Sequence, residues 1–535
     1  MLTVTLRRRS AHGLALVTAV VLSVTLTGCV SAKSKKQQSG GDPTLVTAFH
    51  ADMQVPDPDI FYEAEGLQVT TSAYEGLLQY DPASKTVVGA KIVGLLAERW
   101  EVSPDGKTYT FHLRPKLTFA DGSAVSSADV VWSMKRRAKI NQGAAYMVAD
   151  ISRYETPDAD TVVLHLRGPV SAFLDYMASP YGPKVLSEKI VGQHAEGDDL
   201  GQKWLASHSA GTGPFQIAEF KLGDHYQLAR NEKYWGGRPE LAGIRINIIP
   251  DSSNSVLQVQ NGDLDLTHDV IPATYQQLSA DPKLKGITFP ALFKEKLNLN
   301  AQKPPFDNLA MRQAVRAAID RSTLVPQVWG PLAVASTQMT PRGMLPDGLG
   351  ADSWDVSAAK LKALVSALPA AQRQISLVFQ SGAVQDQRMS QAVQTVLIDA
   401  GFKVSARPVP IADTFKYRDS PVSSQPNAEL ELDTPDAAHP ETFAGIYYRS
   451  TGGLDFFHSG DKGADALMDK GLRSTSTADV NRYYGQAMDI LHSQAKFITI
   501  ADVDGSFVAN KCLEGYTMTA AAPFVLNLAH ARLTC

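Results

Sequence analysis

The sequence predicts an α/β protein of two or more domains. Three observations carry this. The body of the chain runs from residue 44 to residue 535, more than a single hydrophobic core serves. Period-two strand patterns and helical patterns alternate along that whole length. The unit helix–glycine–strand also appears, which suits helices laid on a sheet.

The segment before the body reads as an export signal. Arg7, Arg8 and Arg9 form a basic patch, and residues 13–27 form an apolar run. That run is short for a membrane span, which needs roughly 20 residues. Leu26-Thr27-Gly28-Cys29 resembles a bacterial lipobox, in which cleavage precedes a cysteine that is then lipidated. The alternative is an ordinary signal peptide with a chance cysteine. Residues 1–28 are thus expected to be removed, and 29–43, polar and Gly/Ser-containing, to be a flexible tether. Two or three buried acyl chains hold a protein stably at a bilayer surface. The expected location is the extracytoplasmic face of a cell membrane.

Within the body, 43–49 reads as a short apolar strand. Residues 107–115 alternate Tyr109, Phe111 and Leu113 with Thr108, Thr110 and His112, a half-buried strand. It follows the turn Pro104-Asp105-Gly106, and a second turn ends at Gly122. Ser126 and Asp129 are spaced as a capping box for a helix with Val130, Val131 and Met134 inside. Lys135, Arg136 and Arg137 are expected near its partially negative C-terminal end. Residues 254–266 predict a helix stopped by Gly262 and then a strand. Residues 306–325 predict one long amphipathic helix capped by Asp307, with Leu309, Val315, Ala318 and Ile319 buried. Residues 388–409 predict a helix, a stop at Gly401 and a strand. No further apolar run is long enough to cross a membrane.

Charge and composition narrow the function. The formal net charge of −4 becomes −7 once Arg7, Arg8 and Arg9 are removed with the signal, which argues against nucleic acid as partner. No G-x-S-x-G elbow, H-E-x-x-H, C-x-x-C, Walker A loop or G-x-G-x-x-G fingerprint occurs. No enzyme activity, cofactor or resident metal is expected. With Cys29 lipidated, Cys512 and Cys535 remain. An extracytoplasmic setting allows them to form a disulfide that pins the C-terminal tail, or they are two separate buried thiols.

Residues 74–137 carry a denser pattern. Ala97-Glu98, Trp100, Asp105-Gly106, Phe111, Leu113-Arg114, Phe119, Asp121-Gly122 and Ala128-Asp129-Val130 follow one another at fixed spacing. Gly211-Thr212-Gly213-Pro214-Phe215, the run NGDLDL at 261–266 and the run 297–321 come later in order. Together these resemble the family 5 extracellular solute-binding proteins of ABC importers, which include peptide, nickel and related binding proteins. Within this signature the aromatic residues Trp100 and Phe111 read as core, and Arg114 as a partner for Glu98 or Asp129.

The resemblance implies a two-lobed, type II periplasmic-binding-protein-like α/β fold with an additional inserted domain and a ligand cleft between hinged lobes. Lobe I would comprise 44–70, 205–287 and 502–535, the inserted domain 71–204, and lobe II 288–501, with hinge crossovers near 288–296 and 497–504. It also implies a monomer that captures short peptides by lobe closure and delivers them to ABC permease and ATPase subunits. Relatives that bind nickel chelates or sugars make a non-peptide solute the alternative, and His439 is a conceivable imidazole for a chelate. A sensory binding protein is a further alternative.

The same resemblance nominates site residues. Peptide-binding members carry W-x-x-D-Y-x-D-P in the second lobe, whose first Asp meets the peptide ammonium. An enclosed ammonium needs a carboxylate, and charge-assisted hydrogen bonds are strong. Here the segment 429–443, ELELDTPDAAHPETF, holds five carboxylates. Asp433 matches the first Asp of the motif and Asp436 the second, while Leu430 and Thr434 replace the Trp and Tyr. Phe61 and Tyr62 lie in a segment resembling the family's ligand-approaching loop. Tyr146 sits near a ligand-facing family tyrosine, and Arg449 is a candidate partner for a ligand carboxylate.

Overall fold

The computed structural model describes residues 42–82, 90–268, 270–351, 353–522 and 524–535. The signal segment and Cys29 lie outside the described residues. Three sheets organise the body. A four-stranded sheet has the order Thr44–Phe49, Gly243–Ile248, His225–Arg230, Phe215–Lys221, with its first pair parallel. A second, antiparallel, has the order Ala97–Val102, Thr108–Leu113, Thr161–Leu166, Ile151–Asp158. The third has seven strands, along Leu266–His268, Phe497–Asn510, Leu284–Leu299, Ala428–Asp433, Gln374–Gln380 and Lys403–Val409, with Ala333–Ala335 also on Phe497–Asn510.

The third sheet spans the molecule because two of its strands are long. Leu284–Leu299 and Phe497–Asn510 pair antiparallel from Leu284↔Asn510 to Asn298↔Phe497. Their register shifts between Phe289 and Phe293 and again between Glu295 and Lys296. Such irregularities bend a ribbon locally and increase its twist. Cys512 and Cys535 form a disulfide, Cα to Cα 5.4 Å, so the C-terminal tail is tied back beside the end of the second long strand.

Local sequence explains the elements around the site. In Thr108–Leu113, Tyr109, Phe111 and Leu113 are buried and the intervening residues half-buried. Gly106 and Gly122 take positive φ, 67° and 88°, as the two Asp-Gly turns require. Ser126 and Asp129 form a reciprocal capping box at the start of the helix Ser127–Ile140. Gly262 and Gly401 stop the helices Ser252–Asn261 and Val384–Asp399 at φ 81° and 104°. Among the described residues no helix is long and apolar enough to cross a membrane.

Two expectations need correction. The single helix over 306–325 is two helices, Leu309–Ala318 and Arg321–Trp329. The Asp320 side chain accepts from the Thr323 amide and caps the second, and Asn308, not Asp307, caps the first. Leu309 lies in the first turn and is exposed. Arg114 does not reach Glu98 or Asp129: its Nε donates to the Leu95 carbonyl at 2.6 Å, and its guanidinium sits 5.7 Å from the Trp235 ring centre.

Arg136 and Arg137 lie near the C-terminal end of their helix, as expected, but they are almost completely buried. Arg136 binds Asp57 at 2.6 Å and Asp59 at 2.5 Å, and Arg137 Nε binds Asp59 at 2.9 Å. Arg137 also donates to the carbonyls of Pro58 and Tyr181, both at 2.7 Å, and of Ala144 at 3.4 Å. The helix face therefore continues past the apolar stripe into a charged socket for the loop 57–59. Phe61 N donates to Asp57 O at 2.9 Å, so the loop hands its position directly to Phe61 and Tyr62.

Breaking a buried ion pair from one side leaves an uncompensated charge, at a cost of about 3–5 kcal/mol. Arg136→Met should lower the thermal midpoint by several degrees, and adding Asp57→Asn should restore part of the loss. Scanning calorimetry of the two variants checks this. A single variant that melts with wild type would contradict the assigned role.

Candidate functional site

The strand Ala428–Asp433 lies antiparallel to Lys294–Leu299, with Lys294 opposite Asp433, Lys296 opposite Glu431 and Asn298 opposite Glu429. Side chains alternate across a strand. One face therefore carries Glu429, Glu431 and Asp433 against Lys294, Lys296 and Asn298. The other carries Leu430 and Leu297, which are in the core. The charged face is buried except for Glu431, which is partly exposed.

That pairing occupies Asp433. Lys296 Nζ lies 2.6 Å from Asp433 Oδ2, pairs also with Glu431, and sits 5.0 Å from the Tyr447 ring centre. Asn298 Nδ2 donates to Glu431 at 2.6 Å. Burial, opposed by Lys296 and reinforced by Glu431, pushes the Asp433 carboxyl up. The Lys296 ammonium keeps its proton against desolvation because Asp433 and Glu431 flank it. Lys294 is spent on Asp502 at 2.5 Å.

Asp436 has a different environment. It sits in the loop between the strand and the helix Glu441–Tyr447, and Thr442 Oγ1 ties that loop by donating to Ala437 O at 2.6 Å. Asp436 Oδ2 accepts from Tyr62 OH at 2.6 Å and from Tyr146 OH at 2.7 Å. Ser179 Oγ donates to the Asp436 carbonyl, and Ala438 N donates to Tyr80 OH at 2.8 Å. Tyr181 packs edge-on to Tyr62 at 5.5 Å, and Tyr176 edge-on to Tyr146 at 5.4 Å. Tyr447, whose OH donates to Thr434 O at 3.2 Å, lies within electrostatic reach of both Asp433 and Asp436. Asp436 makes no ion pair among the described residues.

The charge state of this cluster follows. Burial pushes the Asp436 carboxyl up to about 6, although the Tyr62 and Tyr146 hydroxyls and the positive charge of Arg137 pull it down. Burial and the Asp436 charge hold both phenols above their ordinary value, so they stay donors. The result is a buried carboxylate, ionised at neutral pH, within a group of tyrosine rings.

Three nominated residues thus converge: Tyr62, Tyr146 and Asp436. The others do not join them. Phe61 is buried and packs towards Gly66, where a Cβ would come within 2.6 Å of its ring. Arg449 is engaged by Glu441 at 3.0 Å and Asp469 at 2.6 Å, and Tyr484 OH completes that network on Glu441 at 2.5 Å. His439 is buried, its Nδ1 accepts from the Glu441 amide at 3.1 Å, and burial lowers its ring to about 3. Lys296, Tyr176, Tyr181 and Tyr447 were not nominated. Only Lys296 left a trace in the sequence: Lys294 and Lys296 alternate, as Glu429, Glu431 and Asp433 do.

Comparison with known proteins decides the family. The model of the bacterial extracellular solute-binding proteins, family 5 (middle region), matches residues 91–455. The chain belongs to this family. It is the substrate-binding receptor of an ABC importer for a peptide or related solute, not an enzyme, and acts on the extracytoplasmic side. It is 27% identical over 499 residues, 90% of this chain and 93% of the other, to a probable D,D-dipeptide-binding periplasmic protein, DdpA, of Escherichia coli K12. Among solved structures, the Helicobacter pylori binding protein DppA in complex with the peptide STSA gives a TM-score of 0.80 at 21% identity, covering 92% of this chain and 98% of that one. Staphylococcus aureus NikA in complex with Ni(L-His)2 gives 0.77 at 16%, covering 92% and 100%. The fold is the two-lobed periplasmic-binding-protein fold.

The Asp436 carboxyl generates a pH signature. The folded protein holds the proton up to about pH 6, whereas the unfolded chain releases it near 4. The contribution of Asp436 to stability therefore falls as pH rises from about 4 to about 6, by about 3 kcal/mol at most, and is constant above. In Asp436→Asn that contribution should be lost, while those of Asp175 and Asp433, also pushed up by burial, remain. Thermal midpoints of both proteins from pH 4 to 7 check it, and superimposable profiles would refute the shifted carboxyl.

Proposed function

We propose that this receptor is lipid-anchored through Cys29 and encloses a short peptide, or a solute with a similarly exposed ammonium, between its lobes. The observation that carries the reading is Asp436: a buried carboxylate with no ion pair among the described residues, held by the hydroxyls of Tyr62 and Tyr146 from two distant parts of the chain. An ammonium placed there would gain a charged partner and face tyrosine rings, whose π faces attract cations. Asp433 is the weaker anchor, because Lys296 already neutralises it. The printed ligands of the dipeptide-binding and STSA-bound relatives favour the same class of solute.

The domain reading accompanies this. Lobe I is taken as 44–70, 205–287 and 502–535, the inserted domain as 71–204, and lobe II as 288–501. The two long paired strands cross from one lobe to the other and serve as the hinge, their register shifts supplying the bend. Asp436 and Ala438 then belong to lobe II and their partners Tyr62, Tyr80, Tyr146 and Ser179 to the opposing side. Closure itself would assemble the carboxylate cluster. The receptor acts as a monomer on its permease and ATPase.

Isothermal titration of the soluble chain with short peptides tests the anchor. Losing one charged hydrogen-bond partner costs about 2–3 kcal/mol, roughly 30- to 140-fold in affinity. Both Asp436→Asn and N-acetylation of the peptide should produce that loss, and should not add to each other. Asp433→Asn should change affinity by less than about fivefold. The absence of binding by any peptide at millimolar concentration would remove peptides from the reading, and an acetylated peptide binding equally well would remove the ammonium.

A further inference from the structure

A second group of polar side chains converges away from Asp436. His50 follows the strand Thr44–Phe49, His268 ends the strand Leu266–His268, and Glu65 precedes the helix Leu67–Ala73. The first two are neighbours because these strands run side by side: Thr47 Oγ1 donates to Leu266 O at 3.0 Å and Val46 N to Asp265 Oδ2 at 2.9 Å. Glu65 Oε1 lies 3.3 Å from His50 Nδ1 and 3.2 Å from His268 Nε2, and accepts from the His50 amide at 2.9 Å. One donor atom from each residue falls within 4.8 Å of the other two.

We propose that His50, Glu65 and His268 form a binding site for a divalent transition-metal ion of the zinc, nickel or copper class. Two imidazoles and a carboxylate suit these ions, whereas magnesium and calcium prefer oxygen donors alone. Donors held at about 2.0–2.1 Å around a tetrahedral ion lie roughly 3.4 Å apart, close to the two Glu65–imidazole separations.

Two further features point to a ligand. His268 has only 8% of its side chain exposed, its Nε2 has only the Glu65 contact, and its Nδ1 makes no hydrogen bond among the described residues. A buried polar group without such a partner calls for an explanation, and coordination supplies one. Phe507 and Phe524 pack against the same ring at 6.1 and 5.9 Å, an apolar wall of the kind that restricts water at metal sites. Three protein donors leave at least one coordination position for water or for a donor atom of a bound solute.

The test uses the chain without a polyhistidine tag, stripped with chelator and titrated with zinc or nickel ions alone. One ion per chain should bind, and His268→Ala and Glu65→Gln should each weaken binding at least tenfold. His439→Ala should leave it unchanged. X-ray absorption of the zinc-loaded wild type should show two imidazoles in the coordination sphere, a readout that holds even if a variant fails to fold. No stoichiometric binding at 100 μM metal, unchanged affinity in both folded variants, or a coordination sphere without imidazole would each overturn the proposal. None of these outcomes bears on peptide binding at Asp436.

Discussion

The buried salt-bridge network of Asp57, Asp59, Arg136 and Arg137 is the interaction on which the candidate site depends. Burying two guanidinium groups and two carboxylates carries a desolvation penalty that their mutual attraction only offsets when nearly every donor is used. Here the donors are used. Arg137 alone bonds Asp59 and the carbonyls of Pro58, Ala144 and Tyr181. Those contacts lie next to, or on, the residues that bring Tyr62, Tyr146 and Tyr181 to Asp436. A single planar, always-charged group thus sets the spacing of three tyrosines from three segments, which a flexible lysine ammonium would not do. The same positive charge helps to keep Asp436 ionised.

Charge neutralisation separates the two acids of the 433–436 segment. Asp433 ends a strand whose register places it diagonal to Lys296, while Lys296 directly opposes Glu431. Opposite charges facing across an antiparallel pair stabilise it, and here Lys296 is fully buried and Glu431 only partly exposed. Asp436 lies three residues on, in a loop, where no strand partner answers it. Its partners are hydroxyls, which stabilise the ionised form without cancelling its charge. The five acids of that segment have separate surroundings: Glu431 and Asp433 share Lys296, Glu441 takes Arg449 and Tyr484, Glu429 is buried, and Asp436 meets the hydroxyls of Tyr62 and Tyr146.

Much of this was legible in the chain because local rules govern it. The capping box at Ser126, the Asp-Gly turns and the Gly262 and Gly401 stops are decided by a few adjacent residues. The break between the helices Leu309–Ala318 and Arg321–Trp329 was missed because the apolar stripe runs through it, while Asp320 offers a competing cap. The socket for Asp57 and Asp59 was missed for a different reason. Three cations at the end of a helix fit the helix dipole, and nothing local says that two of them turn inward to acids 77 to 79 residues away. Tyr62, Tyr146 and Asp436 were each nominated, but their convergence is a long-range fact. The motif's Trp and Tyr are replaced by Leu430 and Thr434, and the tyrosines that border Asp436 come from other segments.

A crystal structure of the receptor with whatever solute co-purifies with it from its native host tests the central claim most directly. The account predicts that a ligand amine lies within about 3 Å of the Asp436 carboxylate, bordered by Tyr62 and Tyr146, with Lys296 still bound to Asp433. A solute held elsewhere in the cleft, with both tyrosine hydroxyls remaining on Asp436 and no amine beside it, would contradict it.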